Sequence, residues 1–222
     1  MSVGAAGYLF LLGLACGVAL LSLTAYLRLS PPWLKWLLIG SGVLVISRYA
    51  AMFALATAAD PSQVGWMRHC WFATSLALPL QSVFAVDQLI RHPAMTPRKL
   101  LVRFAPFLAV YAAVMLVGVT VPMPDRILGW TLRLTQPWQG VLSLTHLIFV
   151  LSFLGVCGTM IRKIPVTATR VALAGLMLGQ LALTLDGIML ATSRWYFRPY
   201  LFSEMLVLIM IWHAHRTAET LP

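Results

Sequence analysis

Seven polar side chains with chemical potential lie inside stretches otherwise built of leucine, alanine, valine and isoleucine. They are Arg48, His69, Gln81, His146, Gln180, Asp186 and Glu204. A charge at the centre of a bilayer costs about 2.5–3.5 kcal/mol on insertion scales, so such a residue pairs, faces a polar cavity or meets a ligand. Three chemistries follow from these residue types. Arg48 with two carboxylates can form a ligand pocket. Asp186 and Glu204 can carry protons or cations. Either carboxyl can act as general acid or base with His146 assisting, on a lipid or an isoprenoid carrier.

Other chemistries lack their residues. No HExxH or GxSxG occurs, and no pair of intramembrane aspartates. The three lysines, Lys35, Lys99 and Lys163, stand at segment ends, so a retinal Schiff base has no anchor in the last segment. Haem would need two histidines at one depth, and His69 and His146 are offset. His213 and His215 near the C-terminus lack further ligands for a metal. Cys16, Cys70 and Cys157 form no CxxC and read as small buried residues. These residues leave the cofactor unknown.

The elements that must hold these residues are membrane helices. A spanning helix needs about 20 predominantly apolar residues. Seven stretches qualify, at about 8–27, 33–56, 67–90, 101–121, 137–161, 169–191 and 199–213. The expected fold is therefore an all-α integral membrane bundle of seven helices, one domain over residues 1–222. The first stretch lacks a basic n-region, its first charge being Arg28, and is expected to be retained.

Composition agrees: 60% of the 222 residues are hydrophobic and 10% charged, against roughly 45–50% and 25% in soluble domains. The net charge of +10 falls mostly at segment ends, where bases meet anionic headgroups. The partners expected are thus the lipid bilayer and a cytoplasmic signalling or membrane protein, with no nucleic acid. One side collects Arg28, Lys35, Arg91, Arg98, Lys99, Arg103, Arg162, Lys163, Arg170 and Arg216. The other holds only Arg68, Arg126, Arg133, Arg194 and Arg198. The positive-inside rule makes the first side cytoplasmic, which puts the N-terminus outside and the C-terminus inside a bacterial-type plasma membrane. Trp66, Trp71, Trp138 and Trp195 then mark the outer boundary, and Trp33, Trp36 and Trp212 the inner one. Residues 122–136, with Ile127, Leu128, Trp130, Leu132 and Leu134 among charges, are expected to lie in the outer interface.

Depth brings the polar groups together. Arg48 is about 22 Å up a core of about 30 Å. Asp186 and Glu204 reach the same outer third, and His146 lies somewhat deeper. Arg48 is accordingly expected within salt-bridge reach of Asp186 or Glu204. Thr74, Gln81 and Gln88 repeat every seven residues and draw a polar stripe down the third segment. Pro79 should kink that segment. Gly13–Gly17 and Gly175–Gly179 are GxxxG spacings that permit close helix approach.

The third segment opens with the aromatic-rich WMRHCWFATSLALPLQSVF, and the basic turn RHPAMTPRKLLVRF leads into the fourth. With the outside-in order of seven helices, this layout resembles the N-terminal sensor region of certain bacterial histidine kinases and related signalling proteins. The sequence stops shortly after the last segment, where such proteins attach an output domain. The resemblance implies a sensor that is truncated or acts through a partner, and it carries over no site residues.

The leading expectation is a receptor or sensor module. A small or lipid-like ligand would engage Arg48, Asp186, Glu204 and His146 from outside and shift the third, sixth and seventh helices. The alternatives are a small transporter or membrane subunit of a transport or redox complex, and then a lipid-modifying enzyme.

Overall fold

The computed structural model describes residues 3–29, 31–58, 60–91, 96–125, 129–191 and 200–220. Among these described residues, eight α-helices and one hairpin follow in order. They are α1 (Val3–Tyr26), α2 (Pro32–Thr57), a 3-10 turn (Pro61–Met67), α3 (Arg68–Trp71), α4 (Ala73–Ile90), α5 (Pro97–Val117), β1 (Thr120–Asp125), β2 (Gly129–Leu134), α6 (Trp138–Lys163), α7 (Thr167–Ala191) and α8 (Tyr200–Thr220).

Among the described residues, six helical stretches are long and apolar enough to cross a membrane: Gly4–Tyr26, Pro32–Thr57, Gly65–Ile90, Pro97–Val117, Trp138–Lys163 and Thr167–Met189. The chain is therefore a multi-pass, all-α membrane bundle. Its surface fits that solvent. Phe10 and Val102 are each 72% exposed, and Leu144, Leu151, Leu178 and Leu185 also point outward. In water such a surface would be an interaction patch; here lipid covers it.

The seventh sequence segment becomes α8, which runs to Thr220 instead of stopping at 213. It is less apolar than the six because it carries Glu204, His213, His215, Arg216 and Glu219. Yet it is enclosed: Leu201, Glu204, Leu208, Ile211, Ala214 and His215 are all buried. It packs against α7, α1 and α4, while α4 also meets α2, α5, α6 and α7. These two helices form the centre, and the polar residues of the chain concentrate on them.

Local chemistry sets the helix starts. Pro32 and Pro97 occupy first-turn positions, where a missing N–H costs nothing. The Thr96 hydroxyl oxygen accepts the Lys99 N–H at the start of α5. Asp60 accepts the Ser62 hydroxyl at 2.6 Å and the Ser62 amide at 2.9 Å. These two bonds hold its carboxyl below the usual carboxylate range.

Only one of the two GxxxG spacings is used for packing. A Cβ on Gly179 would lie 2.9 Å from Val207 Cγ2, and one on Gly175 would meet Met210, so α7 seats directly on α8. Gly13 and Gly17 have nothing within 4 Å of a would-be Cβ and face outward.

Three sequence expectations need correction. The fourth segment does not continue to 121: α5 stops at Val117, and Pro122 and Pro124 lie in the strand that follows. Both prolines lack the N–H that a helix interior needs. The connection at 122–136, expected as one short segment in the outer interface, is folded as a hairpin. β1 and β2 pair antiparallel from Thr120↔Leu134 to Asp125↔Gly129. Arg126, Ile127 and Leu128 lie outside the described residues. The hairpin sits on the end of α2, where a Cβ on Gly129 would come within 2.7 Å of the Ala56 carbonyl oxygen. Gly129 also has φ +72, a region that costs other residues about 1–2 kcal/mol. Gly129→Ala is therefore expected to lower thermal stability by at least that amount and to speed proteolysis at the hairpin. Unchanged melting and cleavage would show that the hairpin does not seat on α2. The third correction, in the third segment, belongs to the site.

Candidate functional site

Arg48 projects from α2 into the bundle, 7% exposed, and Glu204 from α8, 2% exposed. Arg48 Nε lies 3.0 Å from Glu204 Oε1. The same carboxylate oxygen accepts the Thr74 hydroxyl of α4 at 3.0 Å. Arg48 Nη1 donates to the Trp71 carbonyl oxygen of α3. The guanidinium carbon stands 5.6 Å from the Trp71 ring centroid and 6.0 Å from that of Tyr200, both within cation–π range. One buried ion pair thus ties α2, α3, α4 and α8 together.

The Trp71 carbonyl is available because the helix breaks beside it. The third segment was expected to be continuous from 67 to 90 with a kink at Pro79. The continuity does not hold: the chain leaves helical geometry at Phe72 (φ −100, ψ 9), and α4 runs from Ala73 through Pro79 to Ile90. Beyond the break, the Ser75 N–H bonds to the Phe72 carbonyl at 3.0 Å. An α-helical bond would have gone to Trp71, four residues back. Its carbonyl is left for Arg48 instead. Trp71 itself is buried, 8% exposed.

Asp186 stands beside this pair without bonding to Arg48 among the described residues. The Ser203 hydroxyl donates to Asp186 Oδ2, and Tyr200 interacts with the charges of Arg48, Glu204 and Asp186 alike. Arg194 and Arg198, between α7 and α8, lie outside the described residues. Tyr49 interacts with Glu204 and Arg48.

The two glutamines extend the polar interior. Gln81 Nε2 donates to Ser41 Oγ at 3.0 Å and Gln180 Nε2 to Ser82 Oγ at 2.8 Å. Both glutamine carbonyl oxygens are buried and unpartnered. The stripe of Thr74, Gln81 and Gln88 is therefore a seam. It starts at Glu204, passes the α2–α4 contact and ends at a cavity lined by Gln88. Its span is about 21 Å for fourteen helical residues.

The two histidines are not brought into the cluster. His146, expected beside Arg48, has its ring 6.2 Å from Phe149, in an aromatic group with Phe104, Phe107 and Phe153. The cause is that α6 packs on α5, α7 and α4, whereas α2 packs on α4 and not closely on α6. His69 Nδ1 lies 2.9 Å from the Met115 carbonyl oxygen, and its Nε2 accepts from Arg68 Nε at 3.3 Å. That arrangement fixes the proton on Nδ1 and ties α3 to the end of α5. No group of three or more His, Cys, Asp or Glu side chains able to hold a metal occurs among the described residues.

Sequence reasoning missed Trp71, Tyr200, Tyr49 and Ser203 as members of the cluster. One signal was available: an intramembrane guanidinium has five donors, more than two carboxylates at one depth would absorb. Comparison with protein-family models, with curated proteins and with solved structures finds no match to this chain.

Proposed function

We propose that the chain is a membrane sensor or receptor module. It is a bundle of seven spanning helices, α8 being the seventh, with the N-terminus outside and the C-terminus in the cytoplasm of a bacterial-type plasma membrane. Its ligand is small or lipid-like, carries an acidic group and reaches the Arg48 cluster from the outer side. The observation that supports this reading is the Arg48–Glu204 pair at 3.0 Å, set where the third span is broken at Phe72.

A ligand acid exchanging for Glu204 at Arg48 would release α8 from α2. It would also loosen Arg48 from the Trp71 carbonyl, so that the break can re-form as helix. A ligand shifts such an equilibrium only by its differential affinity for the two arrangements. The polar seam and the single helix α8 then carry the change to the cytoplasmic end, where a signalling or membrane partner reads it.

The test is a thermal-stability comparison of purified protein with sodium decanoate or 1-decanol as probe. Binding to the folded state raises its stability by mass action. Decanoate is expected to stabilise the protein and decanol not. The response should be absent in the double variant Arg48→Met/Glu204→Leu. Equal responses to acid and alcohol, or an unchanged response in the double variant, would remove the basis for this reading.

A transport reading has one observation in its favour: two buried glutamine oxygens are unpartnered, one on Gln81 in the seam and one on Gln180 of α7. Water or a cation held there would link Glu204 to the far end. Proton or cation flux in proteoliposomes that is lost in Glu204→Gln and in Gln81→Leu would establish it. The absence of flux in wild-type vesicles would end it.

A further inference from the structure

At the far end from Arg48, the ends of α1, α4 and α8 enclose a cavity of about 250 Å³ lined by Ala25, Arg28, Leu29, Gln88, Arg91, His215, Ala218 and Glu219. From Glu204 to His215 along α8 the separation is about 16 Å. The size is just under the roughly 300 Å³ at which pockets for drug-sized molecules begin, so the space suits a headgroup or a small ion.

The lining is built. His215 is 2% exposed, and neither of its ring nitrogens has a hydrogen-bond partner. One face of the ring is set by Tyr26 of α1, with centroids 5.2 Å apart and planes at 84°. A buried polar group without a partner costs about 1–3 kcal/mol. Arg91 is placed by an unusual backbone. It ends α4 in the left-handed region at φ 45, ψ 45, and its Nη2 donates to the Ala218 carbonyl at 2.6 Å. Arg28 approaches from α1 and lies 3.6 Å from Glu219 Oε2. Glu219 is shared, since Arg216 Nη1 lies 3.0 Å from the same oxygen.

The charge balance gives the ligand its sign. Three helix C-termini converge here, each worth about −0.5 of a charge before screening. Arg91 already answers one terminal carbonyl. Arg28 and Arg216 together share a single carboxylate. Guanidinium groups therefore exceed the acid at the mouth, while Gln88 is the hydrogen-bonding group of the lining.

We infer that this cavity binds a phosphate group, with Arg28 and Arg91 as the cationic clamp, Gln88 as a hydrogen-bond partner, and Glu219 as the side chain that the phosphate displaces from Arg28. The phosphate belongs either to a lipid headgroup or to a soluble ion or ester. The site is separate from the Arg48 cluster and stands whether or not that cluster binds a ligand.

The experiment uses the full chain in phosphatidylcholine nanodiscs, with two probes: inorganic phosphate in the buffer, and phosphatidic acid in the disc. Binding is read by titration calorimetry and by thermal shift. At least one probe is expected to bind, and Arg28→Gln or Arg91→Gln should weaken it about tenfold or more, as loss of a charge-assisted contact does. Arg28 is the safer variant for folding because its side chain is 72% exposed. The triple variant Arg98→Gln/Lys99→Gln/Arg103→Gln removes bases elsewhere on the surface and should leave binding intact. Response to inorganic phosphate assigns a soluble ligand; response to phosphatidic acid alone assigns a headgroup. Binding of neither probe, wild-type binding in both single variants, or equal loss in the triple variant would overturn the inference.

Discussion

Glu204→Leu is expected to destabilise the protein by about 3–5 kcal/mol, because it leaves the Arg48 guanidinium buried without its countercharge. The side chains of the pair are 8% and 2% exposed, so water cannot take the place of the carboxylate. Thr74 loses its acceptor at the same time. Arg48 keeps the Trp71 carbonyl and the rings of Trp71 and Tyr200, which lessen the loss without cancelling the charge. The double variant Arg48→Met/Glu204→Leu should recover most of the stability, since replacing a buried ion pair by apolar residues is often neutral or stabilising by about 1–4 kcal/mol. Denaturant unfolding in mixed micelles measures all four corners of this cycle. A double variant as unstable as the sum of the singles would mean that the two residues do not act as a unit.

The second large effect is steric. Gly179→Leu places a side chain where even a Cβ is 3.2 Å from Val207 Cα, so the backbones of α7 and α8 must separate. Overpacking of this kind costs about 1–3 kcal/mol and occasionally more. The matched control is Gly13→Leu, whose Cβ has nothing within 4 Å. The expected result is a marked drop in melting temperature for the first variant and none for the second. Equal drops would contradict the seating of α7 on α8.

The two glycine pairs show where sequence stops being informative. Gly13–Gly17 and Gly175–Gly179 have the same spacing, yet only the second meets a neighbour. Spacing fixes which residues share a helix face, while the partner of that face depends on the packing of the whole bundle. The six apolar spans were legible because lipid demands long apolar helices with internally satisfied backbones. The pairing of Arg48 with an acid was legible for the same reason, through the cost of isolated charge. His146 was misplaced because depth along a helix says nothing about which side of the bundle that helix occupies. The break at Phe72 was hidden by Pro79, the more visible breaker. A carbonyl released by Ser75 bonding to Phe72 leaves no mark in residue type. The cavity at Arg28, Arg91 and His215 was hidden too, because bases at helix ends are expected of any membrane protein.

The central claim is that the Arg48–Glu204 pair is opened by an acidic ligand and that the change reaches the other end of α8. Hydrogen exchange measured by mass spectrometry tests it directly, following residues 68–75 around the Phe72 break and residues 213–220 at the end of α8. The account predicts that sodium decanoate changes exchange in both segments of the wild-type protein and in neither segment of Arg48→Met/Glu204→Leu. Exchange that is unaltered at 213–220 while decanoate binds, or that changes equally in the double variant, would contradict it.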